Sequence, residues 1–182
     1  MKNIVVIGGA RGVGKGTIVS AILKRYPDKF GKIVTFTTRE PREGEVDGDA
    51  YFFTDKNDFE TRIASGDIFE RTEYNNQYYG MSKTVINKIV DNGKIAIVDI
   101  DFVGLLALRE IFAGQVVGIY VTATLERIKR HLEKYPIELQ KQRLADYENS
   151  HKTMEYYDHV VVNDGADGTV NEAVEKVLKI LG

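Results

Sequence analysis

Near the start of the chain, Ile4-Val5-Val6-Ile7 runs into Gly8-Gly9-Ala10-Arg11-Gly12-Val13-Gly14-Lys15-Gly16-Thr17 and continues as Ile18-Val19-Ser20-Ala21-Ile22-Leu23-Lys24. A β-branched apolar run, a glycine-rich turn and apolar residues at helical spacing predict strand, loop and helix in immediate succession. Gly9, Gly14 and Lys15 fit the G-x-x-x-x-G-K pattern, whose backbone N–H groups and lysine cradle phosphates at the start of a helix. A chance match is the competing explanation, at roughly 0.1 accidental hits in a chain of this length. The contiguous strand and helix weigh against it. One position departs from the common form: Gly16 follows the lysine, where a magnesium-ligating hydroxyl is usual, and Thr17 comes one residue later.

With 182 residues the chain fits one domain, or one core with inserted subdomains. Lys and Arg number 25 against 27 acids, a net charge of −2 that argues against a general nucleic-acid surface but not against local phosphate-binding pockets. The absence of cysteine removes thiol nucleophiles and Cys-based metal sites. His131, His151 and His159 lack metal-ligand spacing and are expected on the surface or in the core. No long uncharged apolar run is present, so no membrane span is expected. Met1-Lys2-Asn3 leads directly into the first strand, so a cytoplasmic location is expected.

Beyond the first helix, Ile33–Thr37 is expected as a strand, Thr37–Glu45 as a charged loop, Tyr51–Phe53 as a strand and Lys56–Ser65 as a helix. Phe69–Tyr74 and Gln77–Tyr79 flank Asn75-Asn76, which predicts a hairpin. Helices near Ser82–Asp91 and Gly104–Ile111 alternate with strands Ile95–Asp99 and Val116–Val121. A helical stretch from Leu125 to Tyr156 is broken at Tyr135-Pro136, and strand Val160–Asn163 precedes helix Thr169–Leu181. Alternation of this kind predicts an α/β fold with a parallel sheet covered on both faces and ligands at the strands' carboxyl ends. The polar, aromatic segment 34–81 is expected as an insertion.

Ile95 to Asp99 ends four apolar residues in an acid, a pattern that delivers a carboxylate to magnesium in phosphate-loop nucleotide sites but also occurs in ordinary buried strands. Asp101 falls on the same side if the strand continues. Arg39 and Arg42 flank Pro41 and can either clamp a phosphate or pair with Glu40, Glu43 and Glu45.

Thr37-Thr38-Arg39-Glu40-Pro41-Arg42-Glu43-Gly44-Glu45, with Gly48 and Tyr51, resembles the T-T-R-x-P-R-x-G-E…G…Y signature of guanylate kinases. The resemblance continues through Phe69-Glu70, Tyr78-Tyr79-Gly80 with Ser82-Lys83, Asp99-Ile100-Asp101 with Gly104, and Val161-Val162-Asn163-Asp164. It covers nearly the whole chain and implies a phosphate-loop nucleotide-kinase fold. The implied core is 1–33, 82–124 and 144–182, with an acceptor-binding subdomain at 34–81 and a helical lid at 125–143. The implied reaction is ATP-dependent phosphorylation of GMP with Mg2+, with small-molecule nucleotides as the partners.

By that likeness Gly9, Ala10, Arg11, Gly12, Val13, Gly14, Lys15, Gly16 and Thr17 hold ATP, and Asn163 lies near its adenine. Arg39, Arg42, Tyr51 and Tyr79 grip the acceptor phosphate, while Thr35 lies beside the acceptor. Glu70, joined by Asp101, reads the guanine edge, and Asp99 serves magnesium. Lys15, Arg39 and Arg143 supply catalytic charge, Arg143 from the lid. Four departures are visible: Met81 replaces a hydroxyl, Arg71 an aromatic, Ala50 an acid and Ser150 a glutamate. The lid cations Arg127, Arg130 and Lys134 match no arginine-glycine-arginine spacing and could form a solvated helix face. A kinase for another nucleoside monophosphate and a catalytically degenerate interaction module remain alternatives.

Overall fold

The computed structural model describes residues 2–165 and 170–182. Thr169, expected to open the last helix, lies outside the described residues. In chain order the first half contains β1 (Ile4–Gly8), α1 (Lys15–Arg25), β2 (Phe30–Lys32), β3 (Phe36–Thr37), β4 (Phe52–Phe53), α2 (Lys56–Ala64), β5 (Ile68–Tyr74), β6 (Gln77–Ser82) and α3 (Lys83–Asp91). The second half contains β7 (Ile95–Asp99), α4 (Phe102–Ile111), β8 (Val116–Thr122), α5 (Leu125–Leu132), α6 (Ile137–Ser150), β9 (His159–Val162) and α7 (Asn171–Leu181). A 3-10 turn, His151–Tyr156, connects α6 to β9.

A five-stranded sheet of order β2-β7-β1-β8-β9 is parallel throughout, and a second, mixed sheet has the order β4-β3-β6-β5. The expected α/β architecture is therefore present. Strand alternation sends Val5 and Ile7 into one core with Ile18, Ile22, Val174 and Val177. The opposite face sends Ile4 and Val6 against Ile86, Leu105 and Leu108. Covering a sheet on both faces explains why β1 reads as an uninterrupted apolar run rather than an alternating one.

Of the expected strand Ile33–Thr37 only Phe36–Thr37 is strand, and a separate strand precedes it. Phe30–Lys32 pairs with β7 at the main sheet's edge, while Phe36–Thr37 belongs to the second sheet. Ile33 and Val34 are buried in the crossing between them, with Ile33 N–H donating to the Ile97 carbonyl at 2.9 Å. A β-branched run reports extended, buried backbone but not which sheet it joins. The Asn75-Asn76 hairpin turn is present, with φ of 51° and 59°, the left-handed pair that a two-residue primed turn requires. Pro136 occupies the cap of α6, which accounts for the break after α5. Among the described residues, no helix is long and apolar enough to cross a membrane.

Candidate active site

The loop between β1 and α1 folds as it does because two glycines do what side chains could not. Gly9 has φ of +130°, and a Cβ there would lie 2.0 Å from the Val121 carbonyl oxygen. Gly14 caps α1 with φ of +95°, where a Cβ would lie 2.8 Å from Asn163 Nδ2. The loop thus closes down onto β8 and β9 and feeds the positive end of α1. Lys15 Nζ donates to the carbonyls of Gly9 and Ala10 at 2.8 and 2.9 Å. Burial pushes its ammonium below the usual value, Asp99 pulls it back up, and Arg11 opposes.

Asn163 lies beneath this loop, 1% exposed. Its Nδ2 donates to the Val13 carbonyl at 2.8 Å, its N–H to Thr122, and its own carbonyl accepts from Arg127. Its Oδ1 has no partner among the described residues. His131, expected as a surface or core residue, is half-buried on α5 beside the loop. A Cβ on Gly12 would lie 3.2 Å from the His131 ring. Burial and the neighbouring Lys134, Arg143 and Arg127 hold that imidazole below its usual pKa.

Where the carboxyl ends of β2 and β7 meet the second sheet lies a cleft of about 380 Å³. Thr35, Tyr51, Glu70, Tyr79, Asp99 and Asp101 all line it. Asp99 faces the open cleft, and the surrounding protein nevertheless raises its carboxyl above the usual value, with Lys15 pulling the other way. Asp101 caps α4 by accepting from Gly104 N–H at 3.0 Å, so one of its oxygens is already engaged. Glu70 accepts from the Thr72 hydroxyl at 2.6 Å. Burial raises the Glu70 pKa, the Thr72 hydrogen bond opposes that shift, and Asp101 adds to it.

A second cleft of about 430 Å³ adjoins the first through Tyr51, Thr72 and Tyr79, and is lined by Arg39, Arg42 and Glu45. Arg39 is mostly buried, pairs with Glu45 at 2.9 Å and lies 5.4 Å from the centre of the Tyr51 ring. Glu45 also accepts from the Arg42 N–H at 2.8 Å, so one carboxylate ties the turn together. Both alternatives for these arginines are therefore represented: Arg39 is ion-paired and at the same time borders a cavity able to take an anion.

Arg143 lines neither cleft. Its guanidinium stacks on Tyr135, 3.8 Å from the ring centre. Arg71 points away from the cleft, pairing with Glu60 at 2.9 Å and covering the Tyr78 ring. Met81 is 1% exposed and fills the core below Glu70, while also forming part of the cleft floor. Two cleft residues escaped sequence reasoning. Lys32 borders the cleft near Asp99 and donates to the Asp49 carbonyl, with nothing in its local pattern to mark it. Thr72 could have been found, since it stands two residues from Glu70 on the same strand face.

A family model described as Guanylate kinase matches residues 1–181 of the chain. Among curated relatives, a guanylate kinase of Clostridium perfringens is 36% identical over 181 residues, covering 98% of this chain and 82% of that protein. One of Clostridium tetani is 32% identical, covering 98% of this chain and 84% of its own length. In solved structures, a guanylate kinase from Anaplasma phagocytophilum superposes with a TM-score of 0.71 at 25% identity, over 98% of this chain and 82% of that one.

Proposed function

The chain belongs to the guanylate kinase family, and from that premise we propose how its clefts divide the transfer of the terminal phosphoryl group of ATP to GMP, which yields ADP and GDP. The loop Gly9–Thr17 takes the ATP phosphates on its backbone N–H groups and the start of α1. Lys15 exchanges its bonds to the Gly9 and Ala10 carbonyls for phosphate oxygens, which suits a partly desolvated ammonium held close by. Asn163 supports the loop from below through Val13, on the side assigned to the donor nucleotide.

Arg39, Arg42, Tyr51 and Tyr79 take the phosphate of GMP, and Thr35, Glu70 and Asp101 take its base. Most support comes from one observation: Glu70 and Asp99 border the same cleft, and Tyr51 and Tyr79 join that cleft to the one bordered by Arg39 and Arg42. A nucleotide lying there has its base at a carboxylate, its phosphate at two guanidiniums, and a path toward Lys15. A carboxylate acceptor suits guanine, which presents a ring N–H and an amino group side by side.

The residues present fit magnesium. Asp99 offers a hard oxygen ligand beside the loop, and this ion is commonly held by one or two carboxylates together with phosphates and water. When bound it neutralises charge on the donor phosphates. The protein's own contribution is alignment and positive charge. The attacking oxygen of a nucleotide phosphate is already anionic, so no general base is needed. Arg143 stacks on Tyr135 within the 125–143 segment assigned as the lid, so reaching the transferring group requires the guanidinium to leave that ring as well as the segment to close.

Initial rates with ATP and a panel of GMP, dGMP, AMP, UMP and IMP test the assignment. GMP and dGMP are expected to lead by about tenfold or more, the scale set by leaving buried polar groups unpaired. A panel without guanine preference would remove Glu70 from its role.

A further inference from the structure

On the ladder joining β5 to β6, Glu70 pairs with Met81 and Thr72 with Tyr79. These four residues occupy consecutive same-face positions and all border the first cleft, the one that holds Glu70 and Asp99. Thr72 and Tyr79 also border the second one, beside Arg39 and Arg42. Thr72 therefore stands between the end of the site assigned to the base and the end assigned to the phosphate. Its side chain is open to the cleft, whereas the Met81 thioether lies in the core and cannot donate a hydrogen bond.

We propose that Thr72 is a positioning and specificity-determining residue of the acceptor site, its hydroxyl fixing the Glu70 carboxylate and replacing, from β5, the hydroxyl that Met81 lacks on β6. The proposal rests on the cleft being a GMP site. The 2.6 Å contact has the length of a hydroxyl-to-carboxylate bond and engages one Glu70 oxygen. An ionised carboxylate has about four lone-pair positions, so positions remain for the two adjacent donors of guanine. The Thr72 oxygen keeps its own lone pairs for the ligand or water.

A second consequence concerns protonation. A hydrogen bond to the ionised form favours that form, so the Thr72 hydroxyl works against the burial and the Asp101 charge that raise the Glu70 pKa. Without the hydroxyl, Glu70 takes up a proton at higher pH and loses an acceptor that guanine needs. A threonine present only for its β-branched fit to a strand would have no such effect.

Thr72→Val keeps the shape and removes the hydroxyl, while Thr72→Ser keeps the hydroxyl and removes the methyl. The measurements are GMP dissociation constants and kcat/KM for GMP between pH 5 and 8, after the wild type has been shown to phosphorylate GMP. Thr72→Val is expected to weaken GMP about tenfold, keep kcat within about twofold, and move the acid limb to higher pH; Thr72→Ser is expected to stay near wild type. If wild type phosphorylates GMP and Thr72→Val matches it in affinity and pH profile, or Thr72→Ser behaves like Thr72→Val, the proposal is wrong. A wild type that does not phosphorylate GMP overturns the acceptor assignment itself, a result distinct from either variant outcome.

Discussion

Asp99 Oδ2 lies 3.3 Å from the point where a side chain on Gly16 would begin. The glycine leaves that carboxylate room at the place where phosphate loops usually offer a hydroxyl. Magnesium is then expected to depend on Asp99, phosphates and water rather than on the loop. A methyl at Gly16 would press the carboxylate aside by a few tenths of an ångström.

Gly16→Ala separates that effect from stability. Gly16 is the second residue of α1, where alanine is favoured over glycine by up to about 1 kcal/mol in a helix interior. The melting temperature is expected to hold or rise, while the Mg2+ concentration for half-maximal rate increases severalfold. A Mg2+ dependence identical to wild type would show that Asp99 is not the ion's anchor.

Glu70 sets up an opposition between binding and stability. Burial raises its pKa, so in the window above the ordinary value of 4.5 the folded state binds more protons than the unfolded state. Stability contributed by this group therefore falls as pH rises through that window: the cost of the buried charge is absent below it and complete above it. Glu70→Gln should melt higher than wild type at pH 7, with the difference vanishing near pH 4. The same substitution should raise KM for GMP by about tenfold or more, since it replaces one of two accepted hydrogen bonds with a second donor. Melting curves at both pH values and GMP kinetics check both halves. A wild type more stable than Glu70→Gln at pH 7 would contradict the first.

The phosphate loop is legible in the chain because strand, glycine turn and helix are contiguous, so local rules suffice to place Lys15 at a helix start. Asp99 is legible for a related reason: four apolar residues ending in an acid put that acid at a strand's carboxyl end. Glu70 and Arg39 are different. They reach neighbouring cavities only through the pairing of β3, β5 and β6 across some 40 residues, and only resemblance anticipated it. The assignment of Phe30–Lys32 to one sheet and Phe36–Thr37 to the other is invisible to propensity, which does not distinguish partners. Thr72 was missed because it is tied to the site through its contact with Glu70, which its residue type does not announce.

Arg71 replaces an aromatic beside the glutamate proposed to read the base, yet it belongs to the far side of β5. Its guanidinium pairs with Glu60 and covers the Tyr78 ring rather than facing the cleft. Arg71→Ala should leave the order of acceptors in the nucleotide panel unchanged and lower stability by no more than about 1 kcal/mol, the range of an exposed ion pair with its stacking contact. A change in the GMP-to-IMP ratio would mean that the side chain turns into the cleft when nucleotide binds.

Arg143 and Tyr135 bear on how the lid closes. With the guanidinium 3.8 Å from the ring centre, the arginine proposed to be catalytic sits in a cation–π contact within the proposed lid, and on that proposal the contact breaks before the arginine reaches a phosphoryl group. Such contacts contribute about 0.5–1 kcal/mol at accessible sites, so removing one shifts an open–closed equilibrium about two- to fivefold. Tyr135 also packs partly against the apolar core, which makes Tyr135→Leu a better test than alanine. Tyr135→Leu is expected to lower KM for ATP two- to fivefold if closure tightens the donor site, while Arg143→Ala lowers kcat by about a hundredfold. In the double variant the Tyr135→Leu effect should disappear, because no guanidinium remains to be released. Persistence of the ATP effect without Arg143 would locate it in packing rather than in the cation–π contact, and the lid would need another latch.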